Sequence, residues 1–143
     1  MTNGPTYPNT KLNKYPHFFP GDIPIWERFI DRFGADFLGF DYDVKVGSGT
    51  EPIEGLGDQY ARMQSILSKY RIDVVGYKPD SITIFETKPE AGTVAVGQIH
   101  TYTNLYLRDF KPSLKVIGAI VTDRELPDMA YLTKLQGIEY YIV

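Results

Sequence analysis

The sequence predicts an α/β domain: a central mixed β-sheet with helices on its faces. Three observations predict it. An amphipathic helix is written in "DIPIWERFIDRFG". A hairpin is written in "RIDVVGYKPDSITIFETKPEAG", residues 71–92. Beyond it, "LKVIGAIVTD" is a continuous apolar run, the mark of a strand buried on both faces. The 143 residues suit one domain. At 43% hydrophobic and 14% aromatic, the chain can build a core and is too apolar for a disordered protein. It has no cysteine, which excludes a disulfide framework and a thiolate metal site. No apolar run approaches a membrane span, and the start lacks a signal-peptide layout, so no membrane and a cytoplasmic location are expected. A net charge of −3 gives no global basic field.

Residues 1–21, "MTNGPTYPNTKLNKYPHFFPG", carry four prolines and no acid. They exclude helix and central strand and read as an extended N-terminal arm. Such a segment is ordered only if something holds it; a neighbouring subunit or larger assembly is the expected cause, with packing on its own domain as the alternative. Residues 22–143 then form a single domain. Its first helix starts at Asp22 and Pro24, stops at Gly34, and turns Ile25, Trp26, Phe29, Ile30 and Phe33 inward. In "FLGFDYDVKVG", Phe40, Tyr42, Val44 and Val46 alternate with Asp41, Asp43 and Lys45, predicting a strand with one wet face. "GSGTEPIEGLG" is a Gly-rich loop without the Gly-Lys-Ser/Thr ending of a phosphate loop, so it carries no nucleotide role. Residues 58–69 suggest a second helix with Tyr60, Met63, Ile66 and Leu67 inward. After the hairpin come a helix over about 93–108, the buried strand, a short helix after Pro127, and a last strand in "IEYYIV".

Charges interrupt the hairpin. With Lys78-Pro79-Asp80-Ser81 as the turn, Tyr77 faces Ile82, Val75 faces Ile84, and Asp73 faces Glu86. Facing residues share one side of a sheet, their β-carbons about 4.5–5.5 Å apart. A period of two adds Lys88 to that side. Two carboxylates so close repel. Lys88 offsets one charge; a raised pKa or a divalent cation must deal with the rest. Oxygen ligands favour Mg²⁺, Mn²⁺ or Ca²⁺. A structural lysine–carboxylate pair beside one solvated acid is the alternative.

Asp73 followed by Glu86-Thr87-Lys88 resembles the signature of the PD-(D/E)XK nuclease superfamily, with Ile72 where the motif's name has proline. Gln98 and Tyr102, four apart in "QIHTY", resemble the Gln-x-x-x-Tyr motif of its RecB-like branch. The order of elements over residues 24–122 is similar to the superfamily's core. The resemblance implies the PD-(D/E)XK (restriction-endonuclease-like) fold and a metal-dependent DNA nuclease. It implies Mg²⁺ or Mn²⁺ held by Asp73, Glu86 and the backbone carbonyl of Thr87, with Glu27 on the first helix as a further acid. Catalysis would rest on Asp73, Glu86 and Lys88, with Gln98 and Tyr102 bracing Lys88 or touching the phosphate backbone. His100 falls on another side of that helix.

Gripping DNA takes basic residues. Lys11, Lys14, Arg62, Lys69, Arg71, Arg108, Lys111 and Lys115 are available but scattered. An acidic domain this small is therefore expected to work as a homo-oligomer or with assembly partners through the arm. From a different class comes the alternative: a phage structural or head-completion component of the virion that reuses the fold, with or without catalysis.

Overall fold

The computed structural model of the chain describes residues 4–50, 55, 57–67 and 69–143. A five-stranded mixed sheet forms its centre, flanked by helices. In chain order the elements are α1 (Ile23–Phe33), β1 (Gly39–Val46), α2 (Asp58–Leu67), β2 (Tyr70–Tyr77), β3 (Ser81–Thr87), α3 (Thr93–Phe110), β4 (Lys115–Thr122), α4 (Met129–Leu135) and β5 (Glu139–Ile142). The strands lie in sequence order across the sheet. β2 runs antiparallel to its neighbours β1 and β3; β4 and β5 run parallel to β3.

The α1 stripe does what its periodicity asks. Ile25, Trp26, Phe29 and Ile30 are buried, and Phe33 packs beside them. Their rings meet Phe37, Phe40, Tyr42 and Phe85, and Trp26 Nε1 donates a hydrogen bond to Tyr42 OH at 3.0 Å inside the core. That bond satisfies two polar groups that burial would otherwise leave costly. The opposite face of the sheet is covered by α3, through Ile99, Tyr102 and Tyr106, and by α4, through Met129. β3, sandwiched between both layers, is buried along its whole length.

The β2–β3 register pairs Tyr77 with Ile82 and Val75 with Ile84, as the Pro79-Asp80 turn predicts. The bonded ladder stops at Val74 and Phe85, one step short of Asp73 and Glu86.

Four expectations need correction. β1 does not keep one dry face: Phe40 and Tyr42 belong to the core under α1, while Val44 and Val46 pack with the residues under α3. The break falls at Asp43, whose φ of +54° leaves the extended backbone. On β2 the same switch separates Val74 from Ile72, across Asp73. The second correction concerns α2, where Tyr60 and Met63 are exposed rather than inward; the side chains of Ile66 and Leu67 lie outside the described residues. The third is β4, where burial on both faces holds from Gly118 onward but not at Lys115, Val116 and Ile117, which lie nearer the rim.

The fourth is the cause of order in the arm. Its own domain supplies the contacts, and no neighbouring subunit is needed to explain them. Tyr7 and Phe40 exchange backbone hydrogen bonds of 2.9 and 3.0 Å, so the arm pairs along the open edge of β1. Tyr15 is buried in the core beneath α1, and Phe18 packs against Trp26 and Tyr42. Prolines prevent regular structure here, but Tyr7, Tyr15 and Phe18 still find apolar cover.

Candidate functional site

Where α3 crosses the sheet beside the end of the β2–β3 hairpin, a cavity of about 450 Å³ opens. Asp73 and Glu86 reach it from β2 and β3, and Gln98 and Tyr102 from α3. The arm walls it with Pro16, His17, Phe18 and Phe19, and Asp43 and Arg71 complete its lining.

Glu86 is only 7% exposed and Asp73 is half-buried. Asp73 Oδ2 accepts the Thr87 N–H at 2.9 Å, which ties the two strands together just past their bonded ladder. Both carboxyls are pushed far above the ordinary carboxylate range. Burial is the chief cause in each case. The Thr87 N–H pulls Asp73 partway back, and the Asp73 charge raises Glu86 further. Without a cation the pair therefore retains a proton that free carboxylates would have shed. Lys88 lowers both carboxyls, although among the described residues it makes no direct ion pair and acts from a distance. Tyr102 is raised by its own burial and then by Glu86, while Gln98 Nε2 donates to its hydroxyl at 3.4 Å.

Glu27 lies elsewhere. Its carboxylate accepts the Tyr15 hydroxyl at 3.0 Å and so anchors the arm. Asp22, which sequence reasoning assigned to capping α1, is the acid from this helix that acts on Asp73 and Glu86. It makes no cap hydrogen bond because its backbone is helical (φ −86°, ψ −26°), whereas a side-chain cap wants an extended residue. Burial raises its carboxyl, and Lys88 opposes that.

Sequence reasoning also missed Asp43, read as a wet-face residue. Its side chain is 9% exposed. Lys45 stands 3.4 Å from its Oδ2, and Arg71 and His17 are each 3.7 Å from the carboxylate. His17 Nδ1 takes a hydrogen bond from the Arg71 guanidinium at 2.6 Å, which leaves Nε2 to carry the proton toward Asp43. Only the alternation of β1 hinted at Asp43, and it pointed the wrong way. Of the basic residues singled out for gripping DNA, Arg71 is the one lining this cavity; Lys11 is engaged by Asp31 at 2.9 Å and Arg108 by Asp109 at 2.8 Å.

The donor set suits a hard cation. Among the described residues, no three His, Asp or Glu side chains come together as a complete metal cage. Two carboxylates with water making up the shell is how Mg²⁺ is commonly held. In the lining, Gln98 Oε1 and Asp43 Oδ1 are buried without a hydrogen-bond partner, the latter 3.7 Å from the Arg71 guanidinium. Among the described residues no helix is long and apolar enough to cross a membrane. No family model, curated protein or solved structure matches this chain.

Proposed function

We propose that this protein is a metal-dependent DNA nuclease of PD-(D/E)XK type, hydrolysing phosphodiester bonds in the cytoplasm. One observation carries the reading: a buried carboxylate, Glu86, and a half-buried one, Asp73, share a cavity with Gln98 and Tyr102 while Lys88 bears on both acids. Burying two like charges against a ladder of apolar residues is unfavourable for folding alone. A site that must hold a divalent cation explains the arrangement.

Asp73 and Glu86 would hold Mg²⁺ or Mn²⁺, with the Thr87 carbonyl beside them. Such an ion, when bound, lowers the pKa of its water and offsets charge on the phosphorus oxygens. Lys88 adds a fixed positive charge where the leaving and attacking oxygens gain negative charge. Gln98 and Tyr102 fix the polar wall of α3, and Asp22 moderates the positive charge of Lys88. The arm packs on its own domain, so its order does not by itself call for the head-completion alternative. The test is incubation of purified protein with linear, circular and branched DNA, with Mg²⁺ or with EDTA. Cleavage that requires Mg²⁺ is expected; no cleavage of any substrate, and no divalent-cation binding with DNA present, would reject the reading.

A further inference from the structure

Phe19 is 75% exposed, unlike the two aromatics before it in the arm: Tyr15 is buried and Phe18 packs on the core. Its ring stands on the wall of the cavity that Asp73 and Glu86 reach. Phe19 is not a loose end, since its carbonyl accepts the Asp22 N–H at 2.9 Å and Phe18 beside it is wedged against Trp26 and Tyr42. The wall next to it is strained as well. His17 and Asp43 both adopt positive φ, +50° and +54°, on opposite sides of one 3.7 Å contact. Non-glycine residues held this way concentrate where binding needs a fixed geometry. His17 in turn orients the Arg71 guanidinium, which keeps further N–H donors and is one-third exposed.

We propose that this arm wall receives a single-stranded stretch of the polynucleotide, with a base stacked on Phe19 and the adjoining phosphate held by Arg71. The inference rests on the nuclease reading and deepens it by naming the substrate form. A cavity of about 450 Å³ is of the size that takes one small ligand or one nucleotide of a chain. The carboxyl of Glu86 is nearly closed off. A flexible single strand can turn a phosphate down to it, whereas a duplex is stiff over tens of base pairs. An exposed aromatic beside a guanidinium is the usual platform for unpaired bases, because every base has a face to stack.

The test is fluorescence anisotropy with 5′-labelled oligothymidylate, in Ca²⁺ or EDTA to prevent turnover, against a hairpin duplex of similar length. Wild type should bind the single strand more tightly than the duplex. Phe19→Ala should weaken single-strand binding about tenfold or more, and Phe19→Trp should retain it. Arg71→Ala should reduce the slope of log K against log salt by about 0.7, one phosphate contact on a single strand. Thermal melts check the fold, and Phe19→Ala should melt with wild type because its ring is exposed. Phe19→Ala binding within twofold of wild type, tighter binding of the duplex, or no binding of the single strand would each overturn the proposal. A wild type that binds through Phe19 yet never cleaves with Mg²⁺ rejects the nuclease reading and leaves this inference standing. Cleavage indifferent to Phe19→Ala does the reverse.

Discussion

Glu86→Gln is the change whose consequences the structure fixes most closely. Glu86 sits 7% exposed beside Asp73, and burial raises its carboxyl well above the unfolded value. Asp73 is raised in the same direction. The folded chain therefore binds more protons than the unfolded chain between the ordinary carboxylate range and the raised values. In that window stability falls as pH rises. Each unit of separation is worth about 1.4 kcal/mol. With water entering the cavity and Lys88 nearby, a loss on the order of a few kcal/mol between about pH 5 and pH 9 is expected in EDTA. Glu86→Gln removes one of the two titrations and the repulsion between them. The variant should be as stable as wild type near pH 5, more stable near pH 8, and much flatter between. Urea unfolding followed by tryptophan fluorescence measures this directly, since Trp26 is buried in the core. Mg²⁺ should restore wild-type stability at high pH, because a bound cation replaces the protons, and should do little for the variant. A wild-type profile that is flat from pH 5 to 9 without metal, or a variant that keeps the wild-type slope, would refute the reasoning.

Lys88→Ala should leave Mn²⁺ binding intact or tighter by calorimetry while cleavage falls about 10²–10³-fold, whereas Glu86→Ala should lose both. If the charges are only a structural cluster, neither change will alter Mn²⁺ binding. Removal of residues 1–21 should destabilise the chain by several kcal/mol, because Tyr15 and Phe18 leave the core beneath α1; a truncated chain with the wild-type denaturation midpoint would contradict the packing. Gly76→Ala should cost about 1–3 kcal/mol, since a β-carbon there would lie 2.8 Å from the Phe85 ring and 2.9 Å from the Phe37 ring, neither free to move; thermal unfolding reads the difference.

The amino-acid sequence alone was enough for the parts ruled by local period and turn chemistry. Pro79-Asp80 and the alternation on either side set the β2–β3 register, and that register points Asp73 at Glu86. The 3.6-residue stripe of α1 named its buried face, Ile25 to Ile30. Gln98 and Tyr102 sit four apart on α3, so one helix turn brings both to the cavity. Tertiary structure decided the rest. The change of face at Asp43 has no sequence period, because a left-handed residue inside a strand is tolerated only when packing on both sides demands it. Glu27 lies on α1 and Asp22 just before it. Which of them meets the site depended on where the arm crosses, since Tyr15 claims Glu27. The arm itself, aromatic and proline-rich, carries no repeat from which a partner surface could be read. Its place followed from the unpaired edge of β1 and the apolar face of α1, two surfaces that exist only once the sheet has formed.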